Sequence, residues 1–278
     1  MYTERLRDLA AAYNGEVTDV KVRHLVGPLP ADELTHSVFP YPARLLRHVP
    51  RLILGAQNLM DDVQFVVDPF CGSGTILVEA QRYGYASYGF DQNPIAALIS
   101  RVKTSPRRPQ QLRRALANLV LEAKRTRRGS DVPEYLLRWY SPVALSAMRR
   151  LVAVKTEASV GASSTDFIDL VIALAARRLS FADPSIPVPV RDKHAVYLDS
   201  DEVWAIVTRL GENLISRIGR LQYGQAASTV RWSDSRSSST WAHLPKGANG
   251  MLFTSPPYGA SQKYIRSCSL EAGVRACY

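Results

Sequence analysis

The sequence predicts an α/β fold, a doubly wound sheet interrupted by a long helical insertion. A short apolar, β-branched run at 63–67 and a second strand at 86–90 each end on an aspartate, Asp68 and Asp91, and pass directly into a turn and a helical pattern. From Ser105 to about Leu221 the periodicity is helical throughout. Strand character then returns at 228–232, ending on Ser233-Asp234, and at 250–253, ending on Thr254-Ser255. Two strand–turn–helix units, a helical excursion and two more strands are the order expected of a doubly wound sheet with an insertion.

Each element has its own local reason. Residues 3–13 place apolar positions at helical spacing, and 27–42 is a Pro-rich turn region leading into a helical stretch, 43–54, that Pro50 interrupts. Helices are expected at 75–83 and 94–102 after the first two strands, then at 110–127, 142–155, 165–179 and 201–220. The last carries one apolar stripe through Val203, Ile206, Val207, Leu210, Leu214, Ile218 and Leu221. The Ser-rich stretch 235–240 reads as a loop. The expected division is a lead-in at 1–60, a core at 61–103 and 226–278, and a helical insertion at 104–225.

With 278 residues, 46% hydrophobic and 22% charged, the chain has the material for a full core and is not composed like a disordered one. Its longest apolar run, 167–176, is broken by Asp169 and followed by Arg177 and Arg178, well short of the roughly 20 residues a membrane span needs. The N-terminus has no secretory pattern, and Cys71, Cys268 and Cys277 leave an odd thiol without metal-ligand spacing. A cytoplasmic protein with no metal and no membrane partner is the expectation.

The net charge of +10 points to an anionic partner. Between Arg101 and Arg128 stand ten lysines and arginines against one acid, Glu122, so the surplus sits in one segment. Either that segment contacts nucleic acid or it is a solvated helical lid.

Three strings carry chemistry. In Asp68-Pro-Phe-Cys-Gly-Ser-Gly-Thr75, glycines directly after a strand allow a sharp turn and close ligand approach. The phosphate-loop spacing and the third glycine of a dinucleotide fingerprint are both missing. Asp68 would repel a pyrophosphate and attract a cationic ligand. Asp91, 17 residues after Gly74, stands where a carboxylate accepts from ribose hydroxyls, or else it caps the helix that follows. In Thr254-Ser-Pro-Pro-Tyr258, two prolines fix an extended turn and leave carbonyls beside an aromatic ring, either a structural turn or a pocket that holds an amine on a stacked base.

Taken in this order, the strings resemble the DNA amino-methyltransferase family, the N4-cytosine and N6-adenine methylases that use S-adenosylmethionine. His36 to Arg44 is similar to that family's upstream cofactor motif, and Ser233-Asp-Ser-Arg236 to its acidic strand-end motif near the cofactor's adenine. The resemblance implies a Rossmann-like methyltransferase sheet. It also implies cofactor binding by Asp68, Phe70, Gly72, Gly74, Thr75, Asp91 and Asp234, with Phe39, Pro40, Tyr41 and Pro42 closing over the ligand. Ser255, Pro256, Pro257 and Tyr258 would form the catalytic pocket, and DNA would be contacted through the 104–225 insertion.

With serine heading the Pro-Pro motif, the string resembles the family's N4-cytosine branch more than its N6-adenine branch, which implies cytosine N4 before adenine N6. The runner-up is a tRNA guanine-N2 methyltransferase, whose strings are similar but whose RNA-binding domain usually precedes the core. A C5-cytosine methylase would need a Pro-Cys nucleophile, and the sequence has none. Family members continue with further strands after the Pro-Pro motif, whereas this sequence stops twenty residues after Tyr258. The expectation is therefore a sheet incomplete at its C-terminus. It would belong to an inactive or binding-only fragment, or to a split enzyme whose second polypeptide supplies the remainder.

Overall fold

Four short apolar runs pair in parallel, and this fixes everything that follows. In the computed structural model, which describes residues 2–16, 19–30, 33–42, 44–127, 129–157, 162–221, 226–257 and 266–275, they are β1 (Phe65–Asp68), β2 (Ala86–Asp91), β3 (Ser228–Trp232) and β4 (Gly250–Leu252). Their order across the sheet is β3-β2-β1-β4, with every pairing parallel. Parallel neighbours cannot be joined by hairpins, so helices must make the crossovers.

Helices α1 (Tyr2–Ala11), α2 (Val22–Val26), α3 (His48–Leu54) and α4 (Gln57–Met60) precede β1; α5 (Thr75–Arg82) links β1 to β2, and α6 (Pro94–Thr104) follows β2. Next come α7 (Pro109–Arg125), α8 (Glu134–Leu137), α9 (Pro142–Glu157), α10 (Ala162–Arg178) and α11 (Ser200–Ile218). A short α12 (Ser238–Trp241) lies between β3 and β4, and α13 (Ser269–Arg275) comes last.

The chain divides into two compact units. The sheet unit comprises Met1–Ser37, Ala43–Ser105 and Gln222–Pro256; the helical unit comprises Val38–Pro42, Pro106–Leu221 and Pro257–Tyr278.

Strand alternation covers both faces of the sheet unit. Val66 packs on one face with Leu54, Met60, Ile76 and Ala80, while Phe65 and Val67 pack on the other with Phe90. Trp241 of α12 meets Phe90 edge-on at 5.9 Å, so the Ser-rich stretch expected as a loop contains a helical turn with an apolar anchor. The helix expected over 43–54 begins only at His48, because Pro50 fits the first turn, where its missing N–H costs nothing.

In the helical unit, α7 buries Leu112, Leu116, Leu119 and Ala123 as one stripe, and α11 buries Val203, Ile206, Val207, Leu214 and Ile218. Gly211 permits their close approach: a Cβ there would lie 2.5 Å from the Leu116 side chain. Asp199 and Glu202 form a reciprocal capping box that starts α11. Asp169, which breaks the apolar run of α10, is buried and accepts a salt bridge from Lys155 Nζ at 3.1 Å. Among the described residues of this unit, strand pairing is limited to an isolated bridge between Ala182 and Arg191. No described helix is long and apolar enough to cross a membrane.

Candidate functional site

Parallel pairing brings the ends of all four strands to one edge of the sheet. The register sets Asp68 beside Gly89 and Asp91 beside Trp232, and Val67 opposite Leu252 brings Thr254 to the end of β1. The Thr254 hydroxyl donates to Asp68 Oδ1 at 2.6 Å, so the first and last strings meet across 186 residues of sequence. In open α/β sheets this carboxyl edge is where ligands bind.

The turn between β1 and α5 is held from several sides. Cys71 N–H donates to the Phe90 carbonyl (2.9 Å) and Gly74 N–H to the Cys71 carbonyl (2.7 Å). Gly72 N–H donates to Asp91 Oδ2 (2.8 Å), which ties the turn to the end of β2. Gly72 and Gly74 both take left-handed backbone (φ 50° and 72°), which glycine adopts without strain. A side chain at Gly74 would also strike Ser100, whose Oγ would lie 2.8 Å from the added carbon. Thr75, buried, opens α5, while Phe70 at the tip of the turn is 42% exposed.

Asp91 does not cap α6. Asn93 does, accepting from Ile95 N–H at 2.9 Å. Asp91 Oδ1 accepts from Asn93 N–H at 2.7 Å and Oδ2 from Gly72, so both oxygens are oriented while each keeps a second acceptor site. Nearby, the Ser233 hydroxyl is buried and has no hydrogen-bond partner among the described residues.

Burial acts on both carboxyls of this edge. Burial pushes the Asp68 carboxyl up to about 7, against the pull of the Thr254 hydroxyl and the Phe70 amide, and Asp91 pushes it further. Burial raises Asp91 as well, against the Asn93 and Gly72 amides. Among the described residues neither carboxylate forms an ion pair. A cation entering here would relieve both, and a diol would find oriented carboxylate oxygens.

The remaining expected residues are placed differently. Asp234 is held by Arg236, with oxygen–nitrogen distances of 2.6 to 3.1 Å, and its pKa falls far below the usual range chiefly through that bond. Phe39 and Tyr41 are buried and Pro40 is exposed, all within the helical unit with Pro42. Ser255, Pro256 and Pro257 are exposed, and Tyr258 lies outside the described residues.

Sequence reading passed over Thr254, Ser100 and Lys103. The first headed the Pro-Pro string without being given a role of its own. The other two lie on the apolar stripe of α6, where a buried Lys103 among Ile95, Ile99 and Val102 was the available signal. In the helical unit, a concavity of about 320 Å³ is lined by Phe181, Arg191, Lys193 and Tyr197 among others. Tyr197 is 68% exposed, its ring 5.2 Å from that of Phe181.

The chain is similar to known methyltransferases. The family profile described as RMKL-like, methyltransferase domain (UPF0020) matches residues 38–210. The chain is 38% identical over 88 residues to the Type II methyltransferase M.MvaI of Kocuria varians, covering 31% of this chain and 19% of that protein. It is 30% identical over 89 residues to the Type II methyltransferase M.MjaII of Methanocaldococcus jannaschii, covering 32% and 16%. In both cases the matched stretch spans less than a fifth of the relative. No solved structure matches the chain.

Proposed function

The chain belongs to the RMKL-like methyltransferase domain family, and on that premise we propose that it transfers methyl from S-adenosylmethionine to an exocyclic amine of a DNA base, cytosine N4 before adenine N6. The observation that carries the proposal is the joining of Asp68, the glycine turn, Asp91 and Thr254 at the carboxyl ends of β1, β2 and β4 by hydrogen bonds of 2.6 to 2.8 Å.

The residues suit that cofactor. Asp68 is a buried carboxylate with no described ion pair, and an ammonium or sulfonium would stabilise its charged form. Asp91 offers ribose hydroxyls two oriented oxygens, and Ser233 offers a buried hydroxyl still able to bond. When bound, S-adenosylmethionine supplies an electrophilic methyl group. The Ser255 hydroxyl and the Pro256 carbonyl accept hydrogen bonds from the target amine and orient its lone pair, and the proton that the amine sheds as the methyl is transferred passes to solvent; Tyr258 stacks on the base. Asp234 is assigned to the adenine side by resemblance, and Phe39 to Pro42 to closure over the ligand.

DNA is assigned to the 104–225 region. The outward face of α7 carries Arg113, Arg114, Lys124 and Arg125, and the concavity around Tyr197 joins an exposed ring to Arg191 and Lys193, the pairing that holds stacked bases and phosphates. The test is mass spectrometry of nucleosides from DNA and from tRNA incubated with the protein and the methyl donor. N4-methylcytosine in DNA is the expected product. N6-methyladenine alone would overturn the choice of base, and methylation of tRNA alone would overturn the choice of DNA.

A further inference from the structure

The glycine turn rests on two side chains of α6 that the proposed reaction does not use. Ser100 Oγ donates to the Gly72 carbonyl at 2.7 Å, and Lys103 Nζ donates to the next carbonyl, Ser73, at 2.6 Å. Lys103 is 1% exposed. Among the described residues it forms no ion pair. The charged and titratable groups that act on it are Arg44, Cys71, Glu79 and His36. Glu79, the acid among them, is already engaged by His36 and Arg51.

A buried ammonium without a counter-charge is costly, and an apolar side chain of similar length would fill the space more cheaply. The backbone there is also anchored without it, because Thr35 Oγ1 donates to the Lys103 carbonyl at 2.8 Å and Gln81 Nε2 to the Thr104 carbonyl at 2.8 Å. What the ammonium adds is its grip on the turn.

We propose that Lys103 is a positioning residue for the cofactor turn: with Ser100 it holds the Gly72 and Ser73 carbonyls against α6 and so keeps the turn in the shape that receives S-adenosylmethionine. The inference rests on the cofactor reading above. Burial, with Arg44 acting in the same direction, brings the lysine down to about 7, so the brace passes from charged to neutral near neutral pH. A charge-assisted hydrogen bond is roughly twice as strong as a neutral one, and the grip weakens as pH rises. The sign for folding is opposite. The unfolded lysine keeps its proton to its ordinary pKa of 10.5, so this residue's contribution to stability rises from pH 7 to 10.5.

Lys103→Met separates a brace from a filler. In the ligand-free protein, hydrogen exchange of the amides at 72–75 is expected to accelerate about tenfold or more, with the melting temperature unchanged or raised. The Kd for S-adenosylhomocysteine, measured by calorimetry, is expected to rise about tenfold at pH 6.5, with the ratio to the unsubstituted protein shrinking towards pH 9. Ser100→Ala should shift exchange and affinity the same way by less. Unchanged exchange of the turn would overturn the proposal, and so would a melting temperature that falls in step with affinity. If exchange accelerates in Lys103→Met but the unsubstituted protein does not bind S-adenosylhomocysteine, the brace stands and the cofactor reading falls.

Discussion

Two groups of buried charges in the sheet unit have been treated in opposite ways. Beside α5, Glu79 is fully buried and answered on every side. His36 Nε2 lies 2.7 Å from one oxygen and Arg51 Nε 2.6 Å from the other. Arg51 also reaches Glu33 at 2.7 Å, and Arg82 pairs with Glu33 as well. Burial alone would raise the Glu79 carboxyl, but these partners bring it down to about 2. His36 is driven by burial to about 4, so at neutral pH it is an uncharged ring, and its Nε2 must be the donor because a carboxylate only accepts. At the strand ends and the glycine turn between them, buried Asp68, half-buried Asp91 and buried Lys103 of α6 have no counter-charges among the described residues, and each is pushed towards its neutral form. The first group is complete in itself. The second is left open, and on the proposed reading S-adenosylmethionine would answer its carboxylates.

The largest effect should come from breaking the complete group. Glu79→Ala leaves Arg51 with Glu33 alone and the His36 Nε2–H without its acceptor in the core, a loss of about 3 kcal/mol, the low end for a broken buried pair, to be read from denaturant midpoints. A loss under about 1 kcal/mol would show that the network is not neutralised as described.

Asp68→Asn should do the reverse. The amide keeps an acceptor for Thr254 and Phe70 while removing a charge that burial disfavours. Because the folded carboxyl is raised to about 7 from 3.8, Asp68 costs stability above pH 7, and that cost disappears as pH falls towards 3.8. The variant is therefore expected to be more stable at pH 8, with an advantage that shrinks to little by pH 4; the scale is roughly 1.4 kcal/mol per pKa unit. The Glu79 group runs the other way. His36 loses its contribution as pH falls from 6.5 through 4, and Glu79 loses its own from 4.5 through 2. An advantage for Asp68→Asn that grew on acidification would contradict the assignment.

Thr254→Val, the smallest change, removes one hydrogen bond to Asp68, and about 1–2 kcal/mol should follow. The Asp68 carboxyl should titrate still higher in that variant, by NMR.

What the sequence made legible was local. Strand followed by aspartate and a Gly-x-Gly turn is written in eight consecutive residues, and the strand ends at Asp91 and Ser233 are read the same way, so the sheet and the edge at which its strands end could be foreseen. Partnerships across the fold could not. Thr254 and Asp68 are 186 positions apart, His36 and Glu79 43, Lys103 and Ser73 30, and nothing in either member's surroundings names the other. Glu79 and Arg51 look like ordinary surface charges on helices until packing buries them. Asp91 shows the intermediate case. Capping α6 was open on sequence, and the structure gives that task to Asn93, two residues on, leaving Asp91 to the turn.

Calorimetric titration of the protein and of Asp68→Asn with S-adenosylhomocysteine at pH 8 tests the central claim most directly. The account predicts saturable binding to the protein and a loss of affinity of at least about tenfold, ~1.4 kcal/mol, in a variant that is folded and no less stable. Equal affinity in the two, or no binding to the protein itself, would contradict it.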